Sequence, residues 1–153
     1  MDNYEIVDFS SLNETAQNLI KEAVRARKNA YCPYSNFAVG AAILTESESK
    51  VYTGCNIENA TLTPSICAER AAVPKAVSDG HLKFKMVAIT AHQESSFTAP
   101  CGVCRQTLSE FCSSDGDIEI YLSKPTMDKV LCTKLSKLLP LSFVSYKEDN
   151  VVE

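Results

Sequence analysis

Two cysteines three residues apart behind a proline, Pro100-Cys101-Gly102-Val103-Cys104, constrain this chain more than any other feature. A helix is expected over residues 101–111, entered through Pro100. At that spacing both sulfurs lie on one helical face and can share one ion. Helix N-termini carry partial positive charge, which lowers thiol pKa and favours thiolate. Cys67 stands at the start of a second expected helix and offers a third sulfur. Two helix N-termini would then converge on one metal.

The motif alone leaves other readings open. A closed four-cysteine zinc staple could recruit Cys32, Cys55, Cys112 or Cys132 as fourth ligand, and a redox pair of the thioredoxin kind also carries Cys-x-x-Cys. Glu69, two residues after Cys67, favours catalysis. Catalytic zinc usually keeps three protein ligands and an open position for water, whose pKa it lowers toward neutrality. Three thiolates on a divalent ion leave one net negative charge, and hydroxide adds a second. Nearby positive charge must compensate. Arg70 and Arg105 each follow a residue of the site directly and are candidates to donate hydrogen bonds to the thiolates. Such chemistry also needs a carboxylate near the metal, but not on it, to carry protons. Glu69 is placed for that role, although an isolated glutamate there would simply complement the helix dipole.

Length and charge narrow the partners. The 153 residues suffice for a single domain, 1–153, with its core over about 12–145 and loose or docked ends at 1–10 and 147–153. A net charge of −4 and a pI near 5.2 argue against nucleic acid, whose binding rests on Lys and Arg neutralising phosphates. The one tight basic cluster, residues 25–28, ends an expected helix and complements its dipole. No apolar run of about 18 residues predicts a membrane span. The start of the chain lacks the basic-then-apolar pattern of a secretory leader. With seven cysteines, an odd count, this points to free thiols in a reducing cytoplasm.

Apolar spacing predicts a first helix from Ser11, with Glu14 completing a capping box, to about Asn29. Strands are expected over residues 38–45 and 51–56, joined as a hairpin through the polar stretch 46–50. A helix from near Ile66 to Gly80 should be kinked or irregular at Pro74. Strands over 86–91 and 118–122, a further one near 129–132, and a short helix over 133–139 complete an alternating pattern. A helix–sheet–helix layered α/β domain follows.

Cys67-Ala68-Glu69-Arg70 followed by Pro100-Cys101-Gly102-Val103-Cys104-Arg105-Gln106 resembles the zinc signature of the cytidine deaminase family, in its three-cysteine form. The likeness extends further. Ala30-Tyr31-Cys32-Pro33-Tyr34-Ser35-Asn36-Phe37-Ala38-Val39-Gly40-Ala41-Ala42 is similar to the family's first strand and the loop before it. Gly54-Cys55-Asn56-Ile57-Glu58-Asn59-Ala60 is similar to its nucleoside-binding segment, and Leu138-Leu139-Pro140-Leu141-Ser142-Phe143 to its C-terminal segment.

The resemblance implies a three-layer α/β/α sandwich around a five-stranded mixed sheet. It implies hydrolytic deamination of cytidine and deoxycytidine in pyrimidine salvage, with one zinc per subunit on Cys67, Cys101 and Cys104 and Glu69 as the proton carrier. Asn56 and Glu58 are expected to hold the ribose 3′-hydroxyl, Phe37 to pack on the pyrimidine, and the Ala68 N–H to help recognise the base. Ala60 and Leu62 fall in the same substrate-binding set. Phe143 is expected to reach a neighbour's site in a homotetramer with shared active sites. Family members commonly carry tyrosine where this chain has Leu62, so a hydrogen bond near the sugar's 5′ end is lost. A carboxylate beside the sugar suits a neutral hydroxyl and opposes a phosphate. His81 and His92 match no catalytic position.

Overall fold

A computed structural model describes residues 4–143. Its elements are β1 (Tyr4–Asp8), a 3-10 turn (Phe9–Ser11), α1 (Glu14–Arg27), β2 (Val39–Thr45), β3 (Val51–Cys55), α2 (Ala68–Ser78), β4 (Phe84–Ala91), α3 (Gly102–Ser109), β5 (Glu119–Ser123), β6 (Lys129–Lys134) and α4 (Leu135–Leu138). The expected C-terminal end from 147, and the last two residues of the expected core, lie outside the described residues.

Six strands form one sheet in the order β1-β6-β5-β4-β2-β3. β4 and β5 run parallel and every other pair is antiparallel, so the sheet is mixed. Along β4, alternate residues feed the two faces. Met86 and Ala88 join Ala16, Leu19, Ile20 and Ala23 of α1 in one apolar cluster. Val87 and Ile89 join Ala72 and Ala76 of α2, Leu108 of α3 and Leu135 of α4 in the other. Helices therefore cover both faces, and the result is the expected α/β/α sandwich.

The sheet has one strand more than the resemblance implies. Tyr4–Asp8 docks antiparallel along β6, in register from Tyr4 opposite Thr133 to Asp8 opposite Lys129. Its side chains are mostly exposed, with no buried face to mark it in the sequence. The first helix also starts later than expected. Ser11 closes the 3-10 turn and donates its hydroxyl to Asp8 O at 2.7 Å. Asn13 caps α1 instead, accepting from Ala16 N at 2.9 Å. Helix α2 runs through Pro74 without interruption. Pro74 is exposed, so its ring lies at the surface rather than in the core.

Two glycines set how closely helices approach the sheet. A Cβ at Gly40 of β2 would overlap Ala23 O of α1, and a Cβ at Gly54 of β3 would overlap Ala68 O of α2. The second approach matters for the site, because Ala68 is the first residue of α2. No helix among the described residues is long and apolar enough to cross a membrane.

Candidate active site

The end of β3 leads into residues 56–66, which turn back on themselves. Ile57 and Ile66 exchange two main-chain hydrogen bonds, at 3.0 and 2.9 Å. That bridge delivers the next residue, Cys67, as N-cap of α2. Cys101 is the N-cap of α3, and its Sγ accepts from Cys104 N at 3.4 Å, a side-chain bond that Cys67 does not make on α2. Both caps are cysteine where Ser, Thr, Asp or Asn usually serves.

The three sulfurs of Cys67, Cys101 and Cys104 lie within 4.8 Å of one another. Cys67 Sγ is 3.9 Å from Cys101 Sγ, which is 3.3 Å from Cys104 Sγ. Sulfurs at about 2.3 Å from a tetrahedral zinc lie roughly 3.8 Å apart, so the donor set fits that ion. All seven cysteines are free thiols, and Cys32, Cys55, Cys112 and Cys132 stand outside the cluster, leaving no fourth cysteine for a closed staple. The thiols already share charge unevenly. A hydrogen bond from Cys104 draws Cys67 down to about 5, and the same bond together with burial pushes Cys104 up. A cation between them is what allows all three to ionise. The chain is zinc-binding on this donor set together with the family match described below.

Glu69 is the second residue of α2 and only 4 % exposed. Burial pushes its carboxyl up to about 7. Arg70 Nη2 lies 4.0 Å from Cys67 Sγ, and Arg70 Nε is buried with no partner among the described residues. Arg105 turns the other way. Its Nε donates to Pro100 O at 2.8 Å and its Nη1 to Leu138 O at 2.9 Å. The expectation that it donates to the thiolates is therefore corrected: these bonds tie the start of α3 to the end of α4.

Above the sulfurs opens a cleft of about 280 Å³. Cys67, Cys101, Ala68 and Glu69 line it together with Phe37, Asn56 and Glu58. Cys104 is fully buried. Asn56 fixes the loop of residues 31–38: its Nδ2 donates to Phe37 O and its Oδ1 accepts from Val39 N, both at 2.8 Å. Glu58 accepts from Tyr34 N at 2.9 Å, from Ser35 N at 3.2 Å and from the Ser35 hydroxyl. Those bonds, the hydroxyl's first, hold its carboxyl below the usual glutamate range.

Three expected substrate residues lie apart from the cleft lining. Ala60 and Leu62 are exposed, and Phe143 is 79 % exposed, its main chain gripped by the Gln106 amide through bonds of 2.8 and 3.1 Å. Conversely, Val39, Ile57, Ser65, Ile66, Thr98 and Ala99 line the cleft without having been singled out. Adjacency is the signal that finds four of them: Ser65 and Ile66 precede Cys67, and Thr98 and Ala99 precede Pro100.

A family model described as the cytidine and deoxycytidylate deaminase zinc-binding region matches residues 13–116. The chain is 47% identical to a cytidine deaminase of Sporosarcina psychrophila over 133 residues, 87% of this chain and 93% of that one. It is 41% identical to a probable cytidine deaminase of Dictyostelium discoideum, covering 83% of this chain and 82% of the other. A crystal structure of cytidine deaminase from Burkholderia pseudomallei superposes with a TM-score of 0.75 at 39% identity, over 86% of this chain and all of that one.

Proposed function

The chain belongs to the zinc-dependent cytidine deaminase family, and from that membership we propose that the cleft over Cys67, Cys101 and Glu69 is its catalytic centre. The enzyme is a zinc-dependent hydrolase of cytidine: water replaces the 4-amino group, giving uridine and ammonia. We extend this to deoxycytidine and to a role in pyrimidine salvage.

The observation that carries the site assignment is a buried carboxyl, Glu69, lining the same cleft as two of three clustered sulfurs. Cys67, Cys101 and Cys104 would hold the zinc. Bound there, the ion supplies Lewis acidity and brings the pKa of water toward neutrality. Glu69 takes a proton from the attacking water onto a carboxylate oxygen and passes it to ring nitrogen N3. It then takes the proton of the new hydroxyl on C4 and delivers it to the departing amine, so that the C4 carbonyl forms as ammonia leaves. A carboxyl raised to about 7 is suited to giving and taking protons near neutral pH. Phe37 provides a flat apolar wall for the pyrimidine, the Ala68 N–H reads the base, and Asn56 and Glu58 receive the sugar. Arg70, next to Cys67, offsets negative charge on the sulfurs.

We further propose a homotetramer in which Phe143 of each chain approaches a neighbour's cleft. Its exposure, with that of Leu62 and Leu141, supports a covered surface there. Free thiols throughout support a reducing cytoplasm. The test is ammonia release from cytidine, run beside deoxycytidine, cytosine and cytidine monophosphate. Turnover of the two nucleosides that disappears on chelation and returns with zinc is expected. Ammonia from cytosine or the nucleotide but not from cytidine would overturn the reading.

A further inference from the structure

Glu58 is held by its neighbours before any ligand arrives. A carboxylate offers about four acceptor sites over its two oxygens. Tyr34 N and Ser35 N both donate to Oε2, filling that oxygen. The Ser35 hydroxyl donates to Oε1, so the one site left lies on Oε1. The same hydroxyl oxygen accepts from Phe37 N at 3.1 Å. Ser35 thus joins the carboxylate of Glu58 to the main chain of Phe37, both of which line the cleft, while Asn56 holds Phe37 O and Val39 N. Asn36, between Ser35 and Phe37 in sequence, adopts a left-handed conformation (φ 56°). Ser35 itself is exposed and does not line the cleft.

We propose that Ser35 is a positioning residue of the sugar site, its hydroxyl orienting Glu58 Oε1 so that the remaining acceptor site faces the 3′-hydroxyl of a nucleoside. This rests on the reading that Glu58 receives that hydroxyl. Ser35 touches no reacting atom and acts only through Glu58. Its loss weakens recognition of the sugar and leaves the chemical step alone.

The product and its 3′-deoxy analogue isolate the contact. Inhibition constants for uridine and 3′-deoxyuridine are measured on the zinc-loaded wild type, Ser35→Ala, Ser35→Thr and Glu58→Gln, with melting temperature and zinc content beside them. Ser35→Ala should weaken uridine about tenfold, the scale of one charge-assisted hydrogen bond partly lost, and change 3′-deoxyuridine by less than about twofold. Its kcat on cytidine should stay near wild type while KM rises, and Ser35→Thr should restore uridine binding. Equal weakening of both ligands, or of neither, would overturn the proposal. Glu58→Gln separates the two layers. If it weakens both ligands alike, the reading of Glu58 as the sugar's acceptor fails. If it discriminates and Ser35→Ala does not, Ser35 alone is wrongly assigned. Should Ser35→Ala lower the melting temperature or zinc content, Ser35→Cys keeps the volume with a poor donor and must show the same ratio.

Discussion

At Glu58, donors from residues 34 and 35 converge on one carboxylate and favour its charged form. The consequence for pH runs in one direction. A lowered pKa keeps the acceptor ionised as pH falls through the ordinary glutamate range, and the charge is lost only below it. The preference for uridine over 3′-deoxyuridine, in which any change at Glu69 cancels, should therefore stay level from about pH 8 to about pH 5, a window above the usual Glu value near 4.3. A pH titration of the two inhibition constants checks this; a preference already fading near pH 6 would speak against it. Arg70 makes a second prediction. Its Nη2 approaches Cys67 Sγ, so Arg70→Met should weaken zinc about 10- to 100-fold, as read by competition with a chelating dye. The three-cysteine cluster was legible from sequence because metal chemistry restricts residue type and spacing. Ser35 was not, because its partner lies 23 residues away and only the folded loop brings them together. Arg105 misled for the opposite reason. Adjacency to a ligand looks like proximity, but the helix turn aims its guanidinium at Pro100 O and Leu138 O.

The α2 helix shows how an element delivers chemistry. Its start, Ala68, sits against Gly54 so closely that a Cβ there would overlap Ala68 O and lie 2.7 Å from Ala72 N. Those are backbone atoms, which cannot turn aside as a flexible side chain would. Gly54→Ala should cost about 1–3 kcal/mol in a denaturant melt and weaken zinc as Cys67 shifts. A variant of unchanged stability and zinc affinity would show that α2 does not depend on this contact. The Cys-x-x-Cys helix, the hairpin of β2 and β3, and strands β4 and β5 were readable from apolar runs and turn residues. The cap was misread. Ser11 with Glu14 fits the capping-box pattern, yet the 3-10 turn consumes Ser11 and hands the role to Asn13. Asn13→Ala should lower stability by about 1 kcal/mol. Strand β1 had no signal to find, since its pairing with β6 lies far along the chain and neither face is buried.

At the scale of the whole molecule, α1 closes one face of the sheet, while α2 and α3 cover the other and point their N-termini at one sulfur cluster. If exposed Phe143 meets a second chain, light scattering should give the mass of four 16.7 kDa chains, and Phe143→Ala should raise KM without dissociating them. A monomer with full activity would remove the shared site. The measurement that bears most directly on the whole account is made on Glu69→Gln, comparing bound zinc with turnover of cytidine. One zinc per chain with turnover reduced by at least about 100-fold, the scale of a lost general acid–base group, is the predicted result. Cytidine turnover near wild type in that zinc-loaded variant would contradict it.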